Sequence, residues 1–395
     1  MEGSYRSSRK IKVAFFTHYT EMYGANRSLF EMIKSLKNCN VDAIVITPKY
    51  GDLNKLLDEN NIVNKSSRFY GWVRNNFNSY TKRVCKRAIF NIINYFAVRN
   101  ISKWLEKTNI DIIHTNSSVI DIGAKVAKCL SKKHIWHVRE YGKEDYNIEF
   151  NVPFCKAVQF MENNSDKIVF ISNDLLLKYK KYIKDQKSYE VIYNGVDQEK
   201  YTQILDNKKF FTEKIKIILC GLIHENKNQL EVLRAVSLLE EKYLKQIELH
   251  IVGSGDEAYI KILKEYISEK GLEAYVKFHG YVKNVTKLNA DSQVAIVPSK
   301  KEAFGRVTVE YMLSGLAVIV SDSGANTEIV TDGKDGFVYK LGDIEDLKNK
   351  IISLIMDRNL LYTLSVKGQS TVSGYFTSDI NAKKIRKLYD NILNR

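Results

Sequence analysis

Short apolar runs alternate with helix-period stretches from one end of the chain to the other, and this alternation limits the fold more than any other feature. Strand-like runs read at Val13 to Thr17, Ala43 to Thr47, Ile110 to His114, His134 to His137, Lys167 to Ile171 and Glu190 to Tyr193. A second set reads at Ile215 to Cys220, Ile247 to Val252, Val276 to His279, Gln293 to Val297 and Ala317 to Ser321. Helical periodicity fills the intervals, as at Asn228 to Leu239 and Ile344 to Met356. Strands that each lead into a helix build parallel sheets covered on both faces, so the expected class is α/β, doubly wound. At 395 residues the chain exceeds what one core usually organises. Both halves open on an apolar strand, a polar turn and a helix, and Asn194-Gly195 marks a turn between them. The expectation is two similar domains, 1–195 and 196–375, with a last helix in 376–395 free to pack back on the first.

Composition narrows the setting. Hydrophobic content of 44% and charged content of 27% fit a soluble globular protein. Five widely spaced cysteines without Cys-x-x-Cys indicate neither a disulfide framework nor a zinc site, which suits a reducing compartment. Met1 to Lys10 is polar and basic, unlike a signal peptide. The longest apolar candidate, Ala88 to Val98, is far short of the roughly 20 residues a membrane span needs. A cytoplasmic protein is expected. The formal net charge of +15 implies an anionic partner: nucleic acid, anionic lipid or a phosphorylated substrate.

That charge is concentrated. The segment 65–107 holds ten basic residues against one acid, Glu106, with nine aromatics interleaved. On a helical wheel Lys82, Arg83, Lys86 and Arg87 share one face with Phe90 among them, while Cys85, Ile89, Ile92 and Phe96 form an apolar stripe suited to the domain core. A cationic face carrying an aromatic is characteristic of interfacial helices, so 65–107 is expected to meet an anionic membrane surface.

The residues with chemistry lie elsewhere. In the stretch from Pro298 to Glu310, an apolar strand ends in a short polar loop carrying Glu302, and Gly305 opens a helix that holds Glu310. A loop at the carboxyl end of a strand is where open α/β sheets bind ligands, and a helix amino terminus suits a phosphate. Two carboxylates for hydroxyls and amides for a diphosphate fit a nucleotide-sugar. Lys227 occupies the turn after the first strand of the second half, where its ammonium can meet a diphosphate. His137 ends a strand in the first half, and Gly24 lies between the first strand and first helix, where a missing side chain lets a ligand approach. Gly253-Ser254-Gly255 matches the start of a dinucleotide fingerprint but follows its domain's second strand, and the next strand ends without an acid; a tight turn explains the glycines. No Asp-x-Asp pair or other oxygen cluster suggests a divalent cation.

Taken together these residues resemble the retaining glycosyltransferases of family 4, which have the GT-B fold of two Rossmann-like doubly wound domains facing a central crevice. The resemblance spans nearly the whole chain. Glu302 to Glu310 is similar to that family's E-x7-E motif, and Pro298-Ser299, Glu310-Tyr311-Met312, Gly315, Ala317-Val318-Ile319 and Glu328 to Gly333 to its surroundings. Tyr193 to Asp197 resembles the family's interdomain hinge, and His137 falls at its crevice histidine. The resemblance implies that Glu302 binds donor-sugar hydroxyls or acts as a nucleophile, and that Glu310 binds the ribose. Lys227 and the amides near Phe304 and Gly305 would hold the diphosphate, and His137 would sit beside the transferred sugar. It also implies transfer with retention, from a UDP- or GDP-sugar, without metal or other cofactor. The acceptor would be a glycan or lipid-linked glycan bound by the N-terminal domain, at the inner face of the cell membrane, in surface polysaccharide synthesis. Three positions depart from the pattern: Tyr23 precedes Gly24 in place of a second glycine, Leu222 replaces an arginine, and Ala325 replaces a glycine. Arg306 lies close by in sequence as a substitute cation. A nucleotide-sugar epimerase of the same fold, a silent homologue and a nucleic-acid binder are the rival readings. The motifs lie outside the basic segment, so nucleic acid is not the expected partner.

Overall fold

A computed structural model describes residues 9–74, 80–202 and 205–394, without side-chain detail at 80–83 and 146. The chain divides into two compact units, one formed by Met1–Gly195 with Ser378–Arg395 and the other by Val196–Thr377.

The first unit is built on seven parallel strands: β1 Ile11–Phe16, β2 Val41–Thr47, β3 Val63–Ser66, β4 Ile112–Asn116, β5 Lys133–Val138, β6 Lys167–Phe170 and β7 Tyr189–Val191, in the order β3-β2-β1-β4-β5-β6-β7. The sheet is covered on both faces, so its central strands β1 and β4 are buried along almost their whole length. Successive side chains of β1 serve opposite layers. Val13 and Phe15 pack with Leu29, Met32 and Ile33 of the helix Gly24–Lys37, whereas Ala14 and Phe16 pack with Ala97, Ile101 and Leu105 of the helix Tyr80–Leu105. The C-terminal helix Ser378–Leu393 completes the first of these layers with Ala382, Ile385, Tyr389 and Ile392, spaced along one face. Arg386, largely buried, fastens the same helix by donating to the carbonyls of Arg9 (2.9 Å), Cys39 (2.7 Å) and Asn40 (3.0 Å).

The helix Tyr80–Leu105 is turned the other way from the expectation. Asn94, Ala97, Ile101 and Leu105 are buried, and Phe90 follows on that side, stacked at 3.7 Å on Tyr70. The stripe expected to enter the core is at the surface: Ile89, Ile92 and Phe96 are 55%, 59% and 58% exposed, and Cys85 is exposed too. Ile101 and Leu105 set this rotation, because residues spaced by three and four from them share their face while 85, 89, 92 and 96 lie nearly opposite. Phe90 is therefore a packed residue and not the exposed aromatic of a cationic face. The side chains of Lys82 and Arg83 lie outside those described.

The second unit holds β8 Ile215–Cys220, β9 Ile247–Val252, β10 Val276–Gly280, β11 Val294–Val297, β12 Ala317–Ser321 and β13 Phe337–Tyr339, all parallel, in the order β10-β9-β8-β11-β12-β13. Its main core joins β8, β9, β11 and β12 to the helices Gln229–Ser237 and Ile344–Met356. The stretches where the chain leaves and rejoins the first unit are tied within the second, where the Val196 N–H donates to the Phe376 carbonyl at 2.9 Å.

Candidate active site

In the second unit, β11 delivers the chain into the loop 298–305, which is held from two sides. The Lys300 N–H donates to Asn226 O (2.8 Å) in the turn after β8, while Ser321 Oγ donates to Ser299 O (2.8 Å) and the Ala325 N–H to Glu302 O (2.8 Å) after β12. A loop clamped to both neighbouring turns presents Glu302 in a fixed place. Its Oε2 accepts from Lys227 Nζ at 2.6 Å, so the two groups assigned by pattern to sugar and diphosphate are brought together as an ion pair. Phe304 is buried, and Gly305 adopts φ +87° at the start of the helix Arg306–Leu313. A side chain at Gly305 would be strained by that φ and would come within 3.1 Å of Asn326 Oδ1. Arg306 Nε donates to Glu310 Oε1 at 2.8 Å one turn into the helix, with both side chains about nine-tenths buried. Arg306 is thus engaged with Glu310, and Leu222, at the position of the missing arginine, is exposed. The glycines of Gly253-Ser254-Gly255 serve packing: a Cβ at Gly253 would stand 1.8 Å from Gly221 O, and one at Gly255 2.0 Å from Ile223 O.

In the first unit, the carboxyl ends of β4 and β5 carry a buried polar cluster of which the sequence pattern showed only His137. His137 is fully buried, its Nδ1 lying 3.0 Å from His114 Nε2 and 3.4 Å from Arg139 Nη2. His114 Nδ1 lies 2.8 Å from the Tyr389 hydroxyl of the C-terminal helix. A guanidinium only donates, so Nδ1 of His137 is an acceptor. The proton between the rings therefore sits on His114 Nε2, and His114 Nδ1 accepts from the Tyr389 O–H. This chain leaves His137 with its hydrogen on Nε2, an atom that is buried and has no partner among the described residues. Burial, then the Arg139 charge, then His114 hold the His137 imidazole well below its usual range; burial first and Arg139 second do the same for His114. Both rings are neutral at pH 7, and His137 offers an N–H donor to whatever reaches it. Arg139 is fixed in turn by Asn116 Oδ1 and Asn194 Oδ1. Beside it Glu140 Oε1 accepts from Ser117 Oγ (2.8 Å) and from the Ser118 N–H. His114 lies in the middle of β4 and His137 next to the end of β5, and Tyr389 lies 275 residues from His114 and carries no local signal. Gly24 begins the helix Gly24–Lys37 in open space, with nothing within 4 Å of where a Cβ would stand. Lys86, Arg87 and Phe90 lie apart from this cluster and line a separate cavity.

Comparison with known proteins gives the arrangement its family. The model of Glycosyltransferase Family 4 matches residues 22–200, and that of Glycosyl transferases group 1 matches 201–370. The chain is a family 4, group 1 glycosyltransferase. The first match of this glycosyltransferase contains Gly24 and His137, and the second contains Lys227 and the Glu302 to Glu310 motif. It is 25% identical to the UDP-Gal:alpha-D-GlcNAc-diphosphoundecaprenol alpha-1,3-galactosyltransferase of Escherichia coli, over 98% of each chain. It is 24% identical to the N-acetyl-alpha-D-glucosaminyl L-malate synthase of Bacillus anthracis, over 73% of this chain and 76% of that one. Among solved structures, Anabaena HepE in complex with UDP superposes with a TM-score of 0.78 at 19% identity, covering 96% of this chain and all of that one. The two sheets of the glycosyltransferase are those of the GT-B fold. Among its described residues, no helix is long and apolar enough to cross a membrane, and no three His, Cys, Asp or Glu are grouped to hold a metal ion.

Proposed function

We propose that this glycosyltransferase moves a sugar, with retention, from a nucleoside-diphosphate donor to a hydroxyl of a lipid-linked glycan at an anionic membrane surface. The observation that carries the reading is the pair of carboxylate–cation contacts beyond β11, Glu302 with Lys227 and Glu310 with Arg306. Carboxylates suit the hydroxyls of a donor sugar and ribose, and cations suit a diphosphate. The donor diphosphate would take Lys227 from Glu302, freeing that carboxylate for the sugar. As the anomeric C–O bond breaks, its electron pair leaves with the diphosphate, and fixed positive groups stabilise that charge. The acceptor hydroxyl oxygen bonds to the anomeric carbon on the same face and gives its proton to a diphosphate oxygen. His137, neutral and donating through Nε2, orients the sugar and is not the base. Metal independence is part of this proposal. The membrane contact is assigned to the exposed stripe of Ile89, Ile92 and Phe96, continued by the exposed Arg99 and Lys103.

The test is a thermal-shift titration with UDP, GDP, ADP, dTDP and NAD on the wild type and Glu310→Gln. At about 100 times Kd a bound nucleotide adds about 2.7 kcal/mol of stability. A shift with UDP or GDP that is lost in Glu310→Gln supports the reading; no shift with any nucleoside diphosphate refutes it.

A further inference from the structure

The cavity of about 330 Å³ in the first unit stands outside everything assigned so far. It lies between the helix Tyr80–Leu105, the loop after β3 and the starts of the helices Ile122–Leu130 and Phe154–Asn163. Its volume is at the lower end of the roughly 300–1,000 Å³ usual for small-molecule sites. One wall is aromatic, with Trp72 and Phe160 at 5.1 Å between ring centroids. Trp72 also packs on Trp136 at 5.7 Å. Trp136 and His137 are neighbours on β5 and point to opposite faces of the sheet, so the cavity is on the other face from the histidine chain. The wall is preformed. Asn94 accepts from the Tyr70 N–H (2.8 Å) and donates to Tyr70 O (2.9 Å), and the Trp72 N–H donates to Val119 O (3.1 Å).

The charges are uneven. Among the described residues, Lys86, Arg87 and Lys125 line the cavity with one acid, Asp121. Asp121 pairs with Lys125 through Oδ2 at 2.7 Å. Asp121 Oδ1 is buried and receives no hydrogen bond among the described residues. A buried acceptor without a donor costs free energy that a ligand donor would recover.

We propose that this cavity seats a phosphorylated sugar, a glycosyl phosphate or diphosphate. One ligand meets all three features. The apolar ring face lies on Trp72 and Phe160, a hydroxyl donates to Asp121 Oδ1, and phosphate oxygens accept from Lys86 and Arg87. The proposal rests on the transferase reading only in taking this ligand as part of the acceptor. A lipid-linked glycosyl diphosphate and a free sugar phosphate share the chemistry, and the experiment separates them.

The experiment is isothermal titration of the full chain with glucose 1-phosphate, galactose 1-phosphate, N-acetylglucosamine 1-phosphate and inorganic phosphate, at saturating UDP to occupy a donor site. Wild type, Arg87→Ala and Asp121→Ala are compared, with thermal melts as the folding control. Arg87 is exposed and Asp121 makes no side-chain capping bond, so both variants retain the fold. At least one sugar phosphate is expected to bind the wild type, with Kd raised tenfold or more in each variant and UDP affinity unchanged. The proposal is overturned if none of the three binds, if both variants bind like the wild type, or if inorganic phosphate binds as tightly as the sugar phosphates. Farnesyl diphospho-N-acetylglucosamine in phosphatidylcholine vesicles gives the source: affinity at least tenfold above the free sugar phosphate supports a lipid-linked ligand, and equal affinity supports a free one. Failure of UDP to bind would sink the transferase reading and leave the cavity result standing, since the titrations are repeated without UDP.

Discussion

Replacing Tyr389 by Phe removes one hydroxyl and tests the histidine chain at its far end. The Tyr389 O–H is the donor to His114 Nδ1, and the tyrosine is fully buried, with burial raising its pKa well above the ordinary value, so it stays protonated. Its loss leaves a buried acceptor without a donor, a cost of about 1–3 kcal/mol. For a unit of roughly 150–250 residues each kcal/mol lowers Tm by about 2–4 °C, which calorimetry resolves. A second effect is specific to the chain of tautomers. Without the tyrosine donor only the long Arg139 contact to His137 Nδ1, at 3.4 Å, still favours hydrogen on His114 Nε2, so the His137 Nε2 becomes in part a bare acceptor. Imidazole ¹⁵N shifts read this directly, because protonated and bare ring nitrogens are well separated. With the N–H offered less often, kcat is expected to fall while the KM for donor stays constant. The limit is set by His137→Ala, expected to lower kcat by about 10²-fold or more. A Tyr389→Phe protein with wild-type Tm and unchanged His137 ¹⁵N shifts would refute the relay.

Two further predictions concern the first unit. Burial holds His18 and His134 at about 4, against an unfolded value near 6.5. The unfolded chain therefore binds more protons than the folded one below pH 6.5, and stability is lost progressively as the pH falls toward 4. Between pH 7 and 5 this amounts to about 2 kcal/mol for each histidine, and Asp145, raised by burial to about 6, returns about 1 kcal/mol. Urea midpoints at the two pH values check this, and equal midpoints would contradict it. At the membrane stripe, Ile92→Ser with Phe96→Ser removes two half-exposed apolar side chains, worth about 1 kcal/mol each on insertion and about 30-fold in partitioning together. Sedimentation with anionic vesicles measures the loss; wild-type partitioning by the double variant, or equal binding to neutral vesicles, would count against a membrane role for the stripe.

Strands such as β11 and β12 were legible because their runs are apolar on both faces, and the Glu302 to Glu310 motif because strand, loop and helix follow one another closely. What escaped has physical reasons. β3 reads Val63-Asn64-Lys65-Ser66, and an edge strand with a polar sequence lacks the burial that makes strands visible. β13 has only three residues. The rotation of the helix Tyr80–Leu105 could not be chosen locally, since it carries apolar residues on two nearly opposite sides and the choice is made by what Ile101 and Leu105 meet. The His114–His137 tautomer depends on Arg139 and on a tyrosine brought in by the C-terminal helix, contacts set by the fold and not by spacing.

The return of the chain to its first unit has a consequence for biosynthesis. Ser378–Leu393 supplies Ala382, Ile385, Tyr389 and Ile392 to a core whose other members precede residue 195. A nascent chain emerging at about 5–20 residues per second would ordinarily fold its first domain first. Here one layer of the first sheet stays incomplete while the second unit is translated. The unit begun first is completed last, and for that interval Leu29, Met32 and Ile33 lack the apolar partners that the C-terminal helix brings, the kind of exposed surface that chaperones hold.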